Sequence, residues 1–225
     1  EEAEELTPQF TQLFQEWRVN NWQELTMPNG TVQLRVHRTP VIRMLHQLGV
    51  SEKRAPFKVV PCSVFQAPQS IQAAFLRGLF TADGCVYDGK KHRYVGLGST
   101  SKELLLGVQQ LLLARGVFSR IYQIRKSGNS SFAYVRKNGA RVEYKNHASY
   151  DLRISGPSIA RFKEYVGFLT TKKQMKLEKL VSEHGFYDIE SGTVHLREMI
   201  PEGREFTYNL AEPKNHSYIA NGLVV

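Results

Sequence analysis

No uninterrupted apolar run of about 18 residues occurs in this 225-residue sequence, which excludes a membrane-spanning helix. Cysteine is scarce: Cys62 and Cys85 are the only two, with no CxxC pair and no Cys/His cluster at zinc spacing. That excludes a disulfide framework and a structural zinc site, and points to reduced thiols in a cytoplasmic protein. The opening EEAEELTPQF is acidic and lacks a signal-peptide pattern. Acidic residues almost vanish further on: between Lys90 and Lys145 only Glu103 and Glu143 occur. Against them stand Lys90, Lys91, Arg93, Lys102, Arg115, Arg120, Arg125, Lys126, Arg136, Lys137, Arg141 and Lys145. A solvated face normally mixes both signs, so this imbalance within a chain of net charge +9 points to a polyanion. A basic segment alone fits nucleic acid, acidic protein or anionic lipid. No amphipathic membrane helix accompanies it, and nucleic acid is the favoured partner.

What is present suffices for a core, since 41% of residues are hydrophobic. LTPQFTQLFQEW (6–17) predicts a helix, and VQLRV (32–36) a strand after the Asn29-Gly30 turn signal. PVIRMLHQL (40–48) predicts a short helix closed by Gly49. A helix begins near Ser70 and runs through FLRGLFTADG (75–84), and CVYDGKKHRYVGLGS reads as a hairpin. SKELLLGVQQLLLARG predicts a serine-capped amphipathic helix with a glycine stop. FSRIYQIR and SYDLRIS predict strands joined by a basic connection, followed by the helices SIARFKEYVG and TKKQMKLEKLVSEHG. There is also an internal repeat. LRVHRTPVIRMLHQLGV (34–50) aligns without gaps on LRISGPSIARFKEYVGF (152–168), and the same register sets Lys58 opposite Lys176.

FLRGLFTADG joins two features that a core helix avoids, a glycine in its middle and a carboxylate at its end. An Asp-Gly pair alone is an ordinary turn dipeptide. With the hairpin, the leucine-rich helix and the upstream KVVP, however, residues 32–183 resemble the LAGLIDADG homing endonucleases. The resemblance implies an α+β fold of αββαββα-type units forming a DNA-binding saddle. In that family two motif helices cross closely, which assigns Gly78 to the crossing and Gly84 to the sharp exit from helix to strand. It implies Asp83 as a catalytic ligand for Mg²⁺, a hard cation suited to oxygen donors and phosphate. It implies Lys58 as the basic catalytic residue near the active site, with Lys176 as its repeat-related counterpart.

On that resemblance the strands lie along duplex DNA, where major-groove base edges carry sequence information. The candidate DNA-binding residues are Lys90, Lys91, Arg93, Arg120, Arg125, Lys126, Arg136, Lys137, Arg141 and Arg153. Sequence does not sort phosphate contacts from base contacts among them. Tyr87, Tyr94, Tyr122, Tyr134 and Tyr144 are interleaved with them and read as packing on a half-exposed sheet.

The tail is of another kind. HSYIANG (216–222), with TVHLREMIPEG upstream, resembles the last block of an intein's splicing domain. The resemblance implies His216 as an acid/base or polarising group at a splice junction. The terminal His-Asn of that family and an N-terminal Cys or Ser nucleophile are not in the sequence, and Asn209 stands where Asp is common. The chain as written is therefore not expected to splice by itself. The expected organisation is a remnant of a first repeat over 1–60, a second LAGLIDADG repeat over 61–185, and an all-β splicing segment over 186–225. The expected activity is metal-dependent double-strand cleavage of a specific DNA site. It would be completed by a missing N-terminal intein fragment or by a second copy, in a cytoplasmic protein associated with the nucleoid when bound. The alternatives are an inactive DNA-binding or structural insert, and the C-terminal half of a split intein.

Overall fold

A computed structural model describes residues 2–126, 131–135, 141–145, 147–184, 198–201, 203–204, 206, 213, 219–220 and 223–224. Of β6 and β7, defined below, only the backbone is described. The chain begins with helix α1 (Glu2–Glu16), the antiparallel hairpin β1 (Trp22–Thr26) and β2 (Val32–Val36), and helix α2 (Thr39–Gln47). A short helix α3 (Cys62–Gln66) leads into the long α4 (Gln69–Asp83). Then follow β3 (Gly84–Asp88), β4 (Arg93–Ser99), α5 (Lys102–Leu113), β5 (Arg120–Arg125), β6 (Ser131–Val135), β7 (Arg141–Lys145) and β8 (Ser149–Ile154). Helices α6 (Ser158–Tyr165) and α7 (Thr171–His184) follow, and β9 (Ile219–Ala220) pairs with β10 (Leu223–Val224) near the end.

The central sheet is antiparallel, in the order β3-β4-β8-β5. From α4 to α6 the order of elements is the expected αββαββα pattern, with the hairpin β6–β7 inserted between β5 and β8. That hairpin stands where the sequence reads as a polar, basic connection. The Asn138-Gly139 dipeptide between SFAYV and RVEYK was the signal for a hairpin.

Strand periodicity explains the layering. Val86, Val95, Leu97, Leu152 and Ile154 face the core, against Leu76 and Phe80 of α4, Leu105, Val108 and Leu112 of α5, Ile159 and Phe162 of α6, and Leu177 and Leu180 of α7. Phe80 and Phe162 meet edge-on with centroids 4.8 Å apart, a pairing that adds ~0.5–1.5 kcal/mol to their burial. This core runs from Val60 to Leu180 and takes in no earlier residue. The alternate strand positions carry Cys85, Tyr87, Tyr94, Asp151, Arg153, Arg120 and Tyr122 on the other face, which no described helix covers.

The internal repeat is visible as backbone structure. β2 leads into α2, which ends at Gly49 with φ +86°, and β8 leads into α6, which ends at Gly167 with φ +63°. Both glycines occupy the left-handed conformation that ends a helix at low steric cost. The correspondence stops there. Lys58 follows in extended chain after a 3₁₀ turn (Ala55–Phe57), whereas Lys176 lies inside α7.

Candidate active site and nucleic-acid face

Asp83 is the last residue of α4, and its carboxylate is exposed. The negative end of a helix dipole is an unfavourable place for a carboxylate and a favourable one for a cation. The loop from α6 to α7 fixes this end of the helix. Arg77 Nε donates to Val166 O at 2.6 Å, Leu169 N donates to the buried Thr81 Oγ1 at 2.9 Å, and Lys173 Nζ donates to Thr81 O at 2.5 Å. Lys173 carries no motif signal, and sequence reasoning missed it. Gly84 has ordinary extended torsions (φ −87°, ψ 162°), so the exit from the helix does not need glycine's conformational freedom. A Cβ there would lie 2.5 Å from Phe80 O and 3.0 Å from Phe80 Cα, and it is this contact that requires glycine. At Gly78, assigned by the resemblance to a helix crossing, a Cβ would meet nothing within 4 Å among the described residues.

Asp83 and Lys58 line one open cleft of about 570 Å³, together with Ser99, Thr100, Tyr150 and Asp151. The segment carrying Lys58 is tied to the sheet by Ser101. Its fully buried hydroxyl donates to Lys58 O at 2.6 Å and accepts from Leu104 N at 3.1 Å, capping α5. Val60, just beyond, packs where a Cβ on Gly107 of α5 would come within 2.8 Å of it. Lys176 is exposed on α7 and does not line this cleft. Asp151 was missed, although Asp-x-Arg on a strand places it on the same face as Arg153.

The exposed Asp83 carboxylate brings to this cleft an oxygen donor of the kind a hard divalent cation takes, whereas the carboxylate of Asp151 is held by Arg153. Thr100 Oγ1 is buried there without a hydrogen-bond partner among the described residues. A second group, Asp88, Glu183 and His184, gathers where β3 meets the end of α7. Its carboxylates already have partners: Arg93 Nε and His184 Nε2 lie 3.1 Å and 3.7 Å from Asp88 Oδ1, and Lys179 Nζ lies 3.7 Å from Glu183.

The open sheet face sorts the expected DNA contacts. Lys90 and Lys91 are exposed between β3 and β4, and Arg120, Arg125 and Lys126 are exposed along and just beyond β5. Arg93 is engaged with Asp88 across the hairpin. Arg136, Lys137 and His216 lie outside the described residues, as does the side chain of Arg141. Arg153 is half-buried, with its guanidinium carbon 4.5 Å from the Tyr94 ring centre and 5.1 Å from that of Tyr122. Its Nε donates to Asp151 Oδ2 at 2.7 Å, and this hydrogen bond holds the guanidinium pKa above its ordinary value. Tyr94 also stacks on Tyr87 at 5.0 Å, and burial raises its phenol pKa. The tyrosines therefore do more than cover a sheet: they organise an arginine.

Residues 70–167 match the family model described as a LAGLIDADG-like domain. The chain is 32% identical over 179 residues to the ribonucleoside-diphosphate reductase NrdEB subunit alpha of Bacillus subtilis, covering 73% of this chain and 16% of the relative. It is 28% identical over 195 residues to the replicative DNA helicase DnaB of Synechocystis, covering 85% of this chain and 20% of the relative. The chain thus spans a fifth or less of the length of these relatives. Among solved structures, one of the mesophilic variants of the homing endonuclease I-DmoI superposes with a TM-score of 0.47 at 19% identity, covering 71% of this chain and 65% of that one.

Proposed function

We propose that this chain is the DNA-cleaving part of an intein, with its LAGLIDADG-like unit hydrolysing both strands of a specific duplex site. The observation that carries the proposal is the meeting of Asp83 and Lys58 in one cleft beside an open basic sheet face. The relatives support the intein context. A similar segment recurs inside a reductase subunit and a helicase, proteins of unrelated activity, and fills only a small share of each. That is how an inserted element is distributed, and it is not how a host's own catalytic domain is.

Asp83 would hold a divalent cation such as Mg²⁺. When bound, the cation supplies Lewis-acid stabilisation of charge on the scissile phosphate. Lys58 adds a positive charge to the same cleft, where it would stabilise the transition state and orient water. In the hydrolysis the water oxygen bonds to phosphorus, one P–O ester bond breaks, and the leaving sugar oxygen takes a proton. The open face at Gly78 is the contact for a second motif helix, which supplies the second carboxylate needed to cut the other strand. A further segment of the same polypeptide is the favoured source, because the strand-helix-glycine repeat at 34–50 belongs to such a half; a second copy of the chain is the alternative. HSYIANG at the tail belongs to the splicing domain, with His216 acting at its C-terminal junction.

The decisive experiment is digestion of a plasmid carrying the host coding sequence without the insert, using the intact intein and Mg²⁺. Linearisation by the wild type and its loss in Asp83→Asn, with retained site binding, supports endonuclease activity. Tight binding by the wild type without any cutting leaves only the reading as a non-cleaving DNA-binding insert. Splicing of a full precursor that stops in His216→Ala tests the tail, and splicing only after mixing two fragments identifies a split intein.

A further inference from the structure

The cations on the open sheet face differ in kind. Among the described residues, Lys90, Lys91, Arg120, Arg125 and Lys126 are exposed with no recorded carboxylate partner, as phosphate contacts require. Arg153 is paired with Asp151, so the two together are close to neutral and attract a phosphate weakly. Arg153 is also held in place on three sides. Tyr94 and Tyr122 lie against its guanidinium from the strands on either side of β8, and Asp151 occupies its Nε. The slot exists because the residue opposite Arg153 on β4 is Gly96. A Cβ on Gly96 would come within 2.9 Å of the Tyr94 ring, so glycine makes room for that ring to lie over the sheet. No partner of Nη1 or Nη2 is recorded among the described residues. A guanidinium with its torsions fixed, its Nε occupied and its two terminal nitrogens available matches the O6 and N7 acceptors of guanine in the major groove.

We infer that Arg153 reads one guanine of the target, with Tyr94, Tyr122 and Asp151 as positioning residues that hold its terminal nitrogens toward the base edge. This rests on the DNA-binding reading above. It sorts Arg153 from its basic neighbours: they set affinity, and Arg153 sets specificity.

The test is selection from a duplex library with a randomised central segment, using the intact intein in metal-free buffer so that binding alone is scored. The wild type should enrich a consensus containing a guanine whose preference falls about tenfold in Arg153→Gln, the size that one bidentate contact supports. Arg120→Gln should keep that guanine and bind all sequences more weakly. The slope of log K against log salt should be unchanged in Arg153→Gln and reduced by roughly 0.9 in Lys90→Gln, as loss of one phosphate contact requires. Tyr122→Leu, an exposed position on β5, and Gly96→Ala should weaken the same guanine preference while leaving affinity for non-cognate duplex unchanged. These two variants keep the test decisive if Arg153→Gln fails to fold. A consensus that no variant of this set alters overturns the inference and leaves DNA recognition standing. A wild type that enriches nothing overturns DNA recognition itself.

Discussion

Gly78 and Gly84 stand six positions apart around one helix end, and the structure gives them opposite roles. At Gly84 an added methyl would collide with the main chain of Phe80, so Gly84→Ala should destabilise the fold by about 1–3 kcal/mol, measured by urea unfolding. At Gly78 the same change meets open space inside a helix, and Gly78→Ala should stabilise the isolated chain by roughly 0.5–1 kcal/mol. If the chain acts as the nuclease proposed above, the extra methyl would hold the second helix away, so cutting should fall while the melting temperature of the chain rises. A Gly78→Ala protein that cuts as fast as the wild type removes the crossing at this face. On that proposal the sign of the substitution differs between stability of the chain and cutting, so the two measurements separate a packing role from a crossing role.

At the scale of elements, Ser101 couples two functions through one oxygen: it starts α5 and anchors the extended segment carrying Lys58. Ser101→Ala should cost about 1–2 kcal/mol, since a cap is lost and Lys58 O loses its buried donor. Hydrogen exchange should speed up both at the start of α5 and in the segment after Lys58, whereas a cap of purely local effect would change only the first. How much was legible in the sequence follows the same division between local and distant. The serine cap, the glycine stops and the β3–β4 hairpin follow from signals a few residues apart, and each formed near its expected place. The slot around Arg153 depends on β8 pairing with β4 and β5, segments far away in sequence, and no local pattern encodes that register. The shared cleft of Asp83 and Lys58 is implied by family resemblance and not by spacing, and the repeat carries no further than the glycines, since the backbones diverge after Gly49 and Gly167.

For the whole molecule, the core that begins at Val60 excludes α1, β1, β2 and α2, which hold the earlier copy of the repeat. The two parts touch through few polar contacts, such as Ser63 Oγ to Leu48 O and Thr171 N to Glu5 Oε2. A chain of residues 53–184 should therefore keep a cooperative thermal transition at the position seen for the full chain. Loss of that transition would show that the first 50 residues stabilise the core in a way these contacts do not reveal. If Arg153 reads a base as inferred above, its slot has a different consequence, for how such a protein changes its target over generations. Its four side chains and one glycine come from three strands, so no single substitution converts it to a reader of another base. Changing the arginine strands Asp151 without its partner, and changing a tyrosine or Gly96 loosens the arginine before anything replaces it. Drift in the DNA target should be fast at positions contacted by free-standing side chains and slow at this one, making it a fixed point around which the rest of the recognised sequence can wander.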